Sequence, residues 1–202
     1  MNDLSALRRH LRSLRNSVTA AEGQAAAGSA GETVLKLLGQ REPGRIGTYL
    51  ASDGEIDPQP SKERLEALGW SFYLPVVAPG AKMTFRRWMD DTELSPNRFG
   101  IPEPGEDAAE VQPRDLDVVL VPCVAVDATG NRVGMGAGYY DRAFDLPAEV
   151  RPEMIAVAFE FQLLPGIDSS EWDVPVDVIV TESRVIHTRG RQGLAGHEPT
   201  ER

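Results

Sequence analysis

Three glycines at alternate positions form the pattern in this chain with the clearest chemical use. They are Gly134, Gly136 and Gly138, and the sequence Tyr-Tyr-Asp-Arg follows directly at positions 139–142. Because glycine has no Cβ, the amides of such a loop can adopt unusual backbone angles and converge on the oxygens of a phosphate. Positions 139–142 are expected to begin a helix, whose free amides also favour an anion. The spacing therefore predicts a nucleotide phosphate site.

The glycine spacing differs from that of two common phosphate-binding loops. A P-loop has a Lys after its last glycine, and this segment contains no Lys; a dinucleotide loop has the form G-x-G-x-x-G, whereas this one is G-x-G-x-G. A tight strand-to-helix turn that binds nothing also explains the glycines. Tyr139, Tyr140 and Asp141 favour a binding site, because a simple turn gains nothing obvious from them.

The region around the glycines follows a longer pattern, a strand ending in Pro and then D-x-x-G-x-R-[LIV]-G-x-G-x-G-Y-Y-D. It is carried by Pro122, Asp127, Gly130, Arg132, Val133, Gly134, Gly136, Gly138, Tyr139, Tyr140 and Asp141. The pattern resembles the hallmark of the 5-formyltetrahydrofolate cyclo-ligase family, also called 5,10-methenyltetrahydrofolate synthetase. Further stretches resemble the family in the same order, at positions 7–15, 49–57, 74–77, 99–104, 155–165 and 172–182. Similarity over this length argues against a chance match of one loop.

The resemblance implies an enzyme that uses ATP and Mg²⁺ to close a ring in 5-formyltetrahydrofolate. In such an enzyme the formyl oxygen takes the γ-phosphoryl group, N10 attacks the activated carbon, and phosphate leaves to give 5,10-methenyltetrahydrofolate and ADP. This reaction depends on positioning and charge neutralisation, so the lack of an obvious nucleophile–histidine pair does not argue against catalysis. Two alternatives stay open: a ligase acting on another formyl or amide compound, and a non-catalytic protein that binds folate or nucleotide.

The resemblance also implies roles for individual residues. Nucleotide contacts are implied for Arg8, Arg132, Val133, Gly134, Met135, Gly136, Ala137, Gly138, Tyr139 and Tyr140. Folate contacts are implied for Leu50, Glu55, Met135, Gly136, Ala137, Gly138 and Tyr139. Arg132 and Tyr139 are the implied catalytic residues. Asp141 and Asp177 are the implied ligands of Mg²⁺, a cation that prefers carboxylate oxygens and water.

Some of these residues have simpler explanations. A carboxylate such as Asp141 in the first turn of a helix also complements the helix dipole, and Glu55 could be a solvated turn residue. The N-terminal helix departs from the family pattern, because members usually have a Lys one turn before the residue that is Arg8 here, and this chain has Leu4. The missing charge supports the non-catalytic alternative, unless Arg9 or Arg12 compensates for it.

Composition restricts the location and the partners of the chain. Its 202 residues fit one domain, and its formal net charge of −10 argues against binding to nucleic acid. The single Cys123 excludes an intramolecular disulfide and fits a reducing compartment. No stretch is apolar enough for a signal peptide or a membrane span. We therefore expect a cytoplasmic monomer with no membrane partner, which binds a small folate with or without a polyglutamate tail.

Periodicity predicts the scaffold that positions these residues. Apolar residues at steps of three and four predict a helix from position 4 to position 18, and the capping-box spacing of Thr19 and Glu22 predicts a second helix. The run 116–122, which is apolar except at Asp117, is typical of a buried parallel strand. Candidate helices and strands then alternate along the chain. The expected fold is a three-layer α/β/α domain with a largely parallel central sheet.

The predicted domain covers residues 1–187. Within it, residues 90–114 are rich in Pro, Gly and acidic side chains, which predicts a long loop able to close over a ligand. Residues 188–202 lack apolar periodicity and are predicted to be a disordered tail.

Overall fold

The computed structural model describes residues 3–78 and 83–188. The α-helices in these ranges are α1 (Leu4–Ser17), α2 (Ala20–Leu38), α3 (Lys62–Ala67) and α4 (Tyr139–Phe144). The strands are β1 (Arg45–Gly47), β2 (Ser71–Val77), β3 (Met83–Arg87), β4 (Leu94–Pro96), β5 (Pro102–Pro104), β6 (Glu110–Val111), β7 (Val118–Pro122), β8 (Ala125–Asp127), β9 (Arg132–Val133), β10 (Glu153–Val157), β11 (Leu163–Leu164), β12 (Val178–Val180) and β13 (Val185–His187).

The first two helices begin at side chains that cap their free amides. The Asp3 carboxylate accepts hydrogen bonds from the amides of Ser5 at 3.0 Å and Ala6 at 3.2 Å. Thr19 and Glu22 form the predicted capping box, in which each side chain accepts a hydrogen bond from the backbone amide of the other residue. The predicted start of α2 is therefore confirmed. None of the helices in the described ranges is both long and apolar enough to cross a membrane.

Eight strands form the central sheet in the order β13-β12-β10-β7-β1-β2-β3-β6. The five strands from β12 to β2 pair in parallel, whereas β13, β3 and β6 extend the two edges in antiparallel orientation. The predicted α/β fold with a largely parallel central sheet is therefore confirmed. A smaller sheet contains β11, β8 and β9, and β4 pairs with β5 as a separate hairpin.

Helices cover both faces of the central sheet. Val118 and Leu120 of β7 pack into the core beneath α2 and α3, while Val119 and Val121 pack with Phe144 of α4 on the other face. These five side chains are at most 2% exposed. Because both faces of β7 are covered, its sequence is continuously apolar and does not alternate. The helices on the two faces give the predicted three-layer arrangement.

Two sequence-based expectations about loops need correction. Residues 90–114 contain three short strands, because β4 and β5 form a hairpin and β6 pairs with β3. Their prolines and charged residues conceal a strand pattern, which is common in short edge strands. The predicted tail also begins too early: Thr188 is 2% exposed and its hydroxyl donates to the Val176 carbonyl at 2.7 Å. The remainder of that predicted tail, 189–202, lies outside the described residues.

Candidate active site

A cavity opens where the order in which successive strands are added to the sheet reverses. β1 and β7 are neighbours in the central sheet, but the next strand of this sheet after β1 is β2 on one side, and the next one after β7 is β10 on the other. Such a switch point leaves a crevice at the carboxyl ends of the strands, where open α/β sheets bind ligands. The cavity has a volume of about 420 Å³ and is lined by Tyr49 and Leu50 after β1 and by Pro122 and Cys123 at the end of β7.

The predicted site residues converge on this cavity from distant parts of the sequence. Those that line it are Arg8, Leu50, Glu55, Arg132, Val133, Gly134, Met135, Gly136, Ala137, Gly138, Tyr139, Tyr140 and Asp141. They come from α1, from the segment after β1, and from the chain that runs from β9 into α4. Asp177 is the one predicted site residue that does not line the cavity.

Two glycines in the loop between β9 and α4 adopt backbone angles that L side chains rarely take. The φ angle is +98° at Gly136 and +64° at Gly138. A Cβ on Gly138 would lie 2.8 Å from Nη1 of Arg142, and one on Gly136 would lie 3.6 Å from Cζ of Arg8. At these positions the loop therefore presents bare backbone to the cavity, as close approach of a phosphate requires.

Arg8 connects α1 to the glycine loop. Its Nε donates a hydrogen bond to the Gly134 carbonyl at 2.8 Å, which places a positive charge beside Gly136. Leu4, one turn earlier, also lines the cavity and is 41% exposed. The two arginines expected to compensate for the absent lysine, Arg9 and Arg12, do not line the cavity. Arg8 is therefore the cation that α1 contributes to the wall.

The side chain of Arg132 connects β9 to the first turn of α4. Its Nη2 donates to Oδ1 of Asp141 at 2.7 Å, and its Nη1 donates to the Val174 carbonyl. The Arg132 side chain is only 5% exposed, whereas that of Asp141 is 30% exposed. The Val174 amide also donates to Oδ1 of Asp141, at 3.3 Å. These contacts fix the orientation of both charged groups on the cavity wall.

Asp177 occupies a different position from the one expected of a shared metal ligand. It directly precedes β12, at the amino end of the parallel strands, whereas the cavity lies at their carboxyl ends. Its side chain is 2% exposed, with Oδ2 accepting from the Met154 amide at 2.8 Å and Oδ1 accepting from Arg151 at 3.2 Å. The structure therefore does not bring Asp177 to the site, and protein donors already bind both of its oxygens.

Other carboxylates on the wall were missed by sequence reasoning. Asp168 and Asp173 line the cavity from an irregular segment after β11. Asp173 lies in the stretch 172–182 that resembles the family, but neither carboxylate was assigned a role in the site. Within the described residues, no group of three or more His, Cys, Asp or Glu side chains is arranged to hold a metal ion. Mg²⁺ usually keeps several waters and takes only one or two carboxylates. A site in which Asp141 is the single carboxylate ligand is therefore compatible with Mg²⁺.

Glu55 is a mostly buried carboxylate at the end of the cavity formed by the segment after β1. Its Oε2 accepts a hydrogen bond from the Ser52 amide at 3.1 Å, and Nη1 of Arg15 lies 3.7 Å from its Oε1. The side chain is 11% exposed, and this burial raises the pKa of Glu55 above its usual value. The carboxylate can therefore accept hydrogen bonds from a planar ligand away from bulk water.

The β4–β5 hairpin supplies a further wall. Nη2 of Arg98 donates to the Tyr139 hydroxyl at 3.0 Å, and the Phe99 ring meets the Tyr139 ring edge-on with centroids 6.2 Å apart. Phe99 and Met135 are more than half exposed at this face. Tyr140 lies deeper, and burial raises the pKa of its hydroxyl. The hairpin belongs to the segment that was predicted to close over a ligand.

Comparisons with known proteins show which family this chain is similar to. The chain matches the model of the 5-formyltetrahydrofolate cyclo-ligase family over residues 1–182. It is 34% identical over 178 residues to the 5-formyltetrahydrofolate cyclo-ligase of Haemophilus influenzae, which covers 86% of this chain and 95% of that one. Against the protein of the same name from Escherichia coli strain K12, identity is 37% over 143 residues, covering 69% and 79% of the two chains.

Solved structures lead to the same family. The chain superposes on 5,10-methenyltetrahydrofolate synthetase from Aquifex aeolicus with a TM-score of 0.81 and 29% identity, covering 98% of this chain and 99% of that one. The corresponding synthetase from Mycoplasma pneumoniae, at 21% identity and a TM-score of 0.73, shares the fold. With a family match over residues 1–182, this chain belongs to the 5-formyltetrahydrofolate cyclo-ligase family.

Proposed function

We propose that this chain converts 5-formyltetrahydrofolate to 5,10-methenyltetrahydrofolate and cleaves ATP to ADP and phosphate. The observation that carries the proposal is that the glycine loop and Glu55 line one cavity in a member of the cyclo-ligase family. A nucleotide held by the loop and a pterin held by Glu55 would share that space. Holding two reactants in one geometry replaces an encounter in solution, which accounts for much of the rate enhancement in such reactions.

The reaction needs charge neutralisation more than it needs a protein nucleophile. The formyl oxygen takes the γ-phosphoryl group of ATP as its bond to the β-phosphate breaks and ADP forms. N10 then bonds to the formyl carbon and loses its proton to water, and phosphate leaves with the former formyl oxygen. Arg8 and Arg132 bring positive charge to the wall beside the glycine loop. This local charge opposes the repulsion that a chain of net charge −10 exerts on anionic substrates.

Asp141 is the residue that would hold Mg²⁺. It lines the cavity, and the two hydrogen bonds described for its carboxylate both use Oδ1, which leaves Oδ2 for a cation. When bound, Mg²⁺ would supply positive charge that neutralises the nucleotide phosphates. Arg132 holds Asp141 in place through the hydrogen bond to Oδ1, so both residues would act on the same region of the nucleotide. The cytoplasmic location and monomeric state expected from the sequence stay predictions.

The proposed activity can be tested directly. The purified chain is incubated with 5-formyltetrahydrofolate, ATP and Mg²⁺, and the absorbance of the methenyl product is followed, with reactions lacking ATP or lacking Mg²⁺ as controls. We expect product only in the complete mixture, with ADP formed in equal amount. If folded protein binds the folate but forms no product at high concentration, the proposed activity is wrong.

Arg8→Ala is expected to raise the KM for ATP about tenfold, which corresponds to losing one charge-assisted contact of about 1.4 kcal/mol. The KM for folate should change by less than about threefold, since Arg8 contacts the glycine loop and Glu55 lies elsewhere on the wall. Arg9→Ala is the matched control, because Arg9 is an exposed residue of the same helix that does not line the cavity. An equal KM for ATP in both variants would show that α1 is not part of the nucleotide site.

Leu4→Lys tests the same surface in the opposite direction. We expect a lower KM for ATP by a few-fold, about the effect of one partly solvated charge, and the gain should shrink as salt is added. The substitution should cost little stability because Leu4 is 41% exposed. An unchanged KM at low salt, with Tm unchanged, would show that position 4 does not face the phosphates.

Glu55→Gln is expected to raise the KM for folate about tenfold or more, since the neutral amide cannot accept a pair of N–H donors as the carboxylate does. In the parent protein, folate affinity should fall as pH falls, because protonation removes the acceptor. The raised pKa of Glu55 means that this loss begins at a higher pH than for an ordinary Glu. Folate titrations of parent and variant over a pH series check this, and identical pH profiles would contradict it.

A further inference from the structure

The turn that precedes Glu55 is strained. Asp53 has a φ of +51° and is the one non-glycine residue with positive φ among the described residues. Gly54 follows with a φ of +72°, and a Cβ on it would lie 3.0 Å from the carbonyl carbon and oxygen of Arg15. The turn is therefore pressed against the backbone of α1. Such conformations persist only where surrounding contacts enforce them, and they concentrate at functional sites.

The contacts that enforce the turn come from one face of α1. Oδ2 of Asp53 accepts from Nε of Arg12 at 2.6 Å and from Nη2 of Arg15 at 2.6 Å, and Oδ1 accepts from Nδ2 of Asn16 at 3.3 Å. The hydrogen bond from Arg12, with the nearby charges, lowers the pKa of Asp53 to about 2. Asp53 is thus a permanent negative charge at neutral pH, and it ties α1 to the segment that carries Glu55.

Arg15 links this cluster to the substrate wall. Its side chain is fully buried, and its Nη1 donates to the Cys123 carbonyl at 3.3 Å while lying 3.7 Å from Oε1 of Glu55. A buried guanidinium needs a carboxylate partner, because an unpaired buried charge is strongly unfavourable. Asp53 is the closer of its two carboxylate partners in the described residues, at 2.6 Å. As long as Asp53 satisfies Arg15, the guanidinium does not need Glu55.

We propose that Asp53 is a positioning residue for folate binding: by holding Arg15, it leaves the Glu55 carboxylate free to accept hydrogen bonds from the substrate. This inference rests on the proposed role of Glu55 in the folate site. Without the charge on Asp53, Arg15 closes onto Glu55 as its remaining carboxylate partner and occupies the oxygen that the ligand requires. The folate site therefore weakens while the glycine loop, held to α1 through Arg8, keeps its geometry.

Asp53→Asn is the decisive variant, because Asn keeps the size of the side chain and tolerates positive φ but removes the charge. We expect the Kd for 5-formyltetrahydrofolate, measured by calorimetry without ATP, to rise about tenfold, equivalent to about 1.4 kcal/mol. The KM for ATP should stay within about twofold, since the hydrogen bonds of the Asp53 carboxylate within the described residues go to α1 and not to the nucleotide loop. This split between the two ligands separates positioning from general loss of stability.

Two matched variants complete the test. Arg12→Gln leaves Asp53 paired with Arg15, so its folate Kd should stay within about twofold of the parent value. Glu32→Gln removes an exposed ion pair with Arg64 between α2 and α3. It should change neither the Kd for folate nor the KM for ATP. If Arg12→Gln raises the Kd for folate as much as Asp53→Asn does, the proposal is wrong. It is also wrong if Asp53→Asn leaves folate Kd unchanged, or changes folate Kd, ATP KM and Tm together.

The folate titration distinguishes this inference from the proposed activity. If the parent protein binds folate but does not cyclise it, the proposed activity fails, and the comparison of Asp53→Asn with the parent still decides the role of Asp53. If the parent protein turns over and Asp53→Asn binds folate equally well, only the inference about Asp53 fails. A parent protein that does not bind folate at all overturns both.

Discussion

Gly136→Val is expected to abolish turnover while leaving the fold intact. At a φ of +98°, a β-branched residue is strongly disfavoured, so the loop has to rearrange. A Cβ at this position would also lie 3.6 Å from the Arg8 guanidinium, and the two methyl groups of Val would extend beyond that point. The variant thus removes the bare backbone and displaces the cation beside it. We expect kcat/KM to fall by about 10³-fold or more, the scale seen when preorganised donors are lost.

Circular dichroism and thermal unfolding measure whether the fold survives. The loop is exposed at Gly136 and lies outside the core, so far-UV spectra should match the parent and Tm should fall by only a few degrees, as for about 1 kcal/mol. Gly166→Val is the matched control, since Gly166 is exposed and has ordinary φ, and a Cβ added there would have no atom of the described residues within 4 Å apart from its chain neighbours. If Gly136→Val turns over like the Gly166 variant, the glycine loop does not cradle phosphate.

Arg132→Lys should lower kcat about 100-fold while keeping a positive charge. The guanidinium of Arg132 donates to Asp141 and to the Val174 carbonyl at once, with its side chain 5% exposed. A lysine ammonium is a single point charge and cannot reproduce this fork, so Asp141 loses its fixed orientation. A misplaced carboxylate then fails to complete the site around the nucleotide, and about two orders of magnitude is typical for such positioning losses.

Arg86→Lys is the control for this substitution. Arg86 is also mostly buried, donating to Glu110 at 3.0 Å and to the Pro104 carbonyl at 3.1 Å, but it does not line the cavity. Both variants should lose similar stability, and only Arg132→Lys should lose turnover, with folate Kd unchanged. Similar kcat values for the two variants would show that the guanidinium fork of Arg132 has only a structural role.

Local chemistry made part of the site predictable. The spacing of Gly134, Gly136 and Gly138 predicts a backbone that adopts positive φ, and two of the three glycines do. The capping pair Thr19–Glu22 predicts the start of α2 because a cap depends on residues three apart. The continuous apolar run ending at Pro122 predicts a strand covered on both faces, since no polar position is left for solvent.

Short strands were the part of the fold that the sequence concealed. β4, β5 and β6 contain two or three residues each, too few for alternation to be recognised, and prolines occupy several of those positions. They are strands because a partner strand is available for pairing, and pairing is a property of the whole sheet. The hairpin formed by β4 and β5 nevertheless lies where a closing segment was expected, and Arg98 in this hairpin contacts Tyr139.

The sequence alone determined which residue types the site contains; the tertiary structure decided where they lie. Asp141 and Asp177 are both conventional Mg²⁺ ligands by type, yet Asp177 lies at the amino end of β12 and is bound by protein donors. Arg15 and Asp53 lie in stretches that resemble the family but were assigned no role in the site, because their importance comes from burial and from a contact between α1 and a turn 38 residues away. Residue type and short-range spacing are encoded locally. Which end of a sheet a residue reaches, and which charge it meets there, depend on how the whole chain packs.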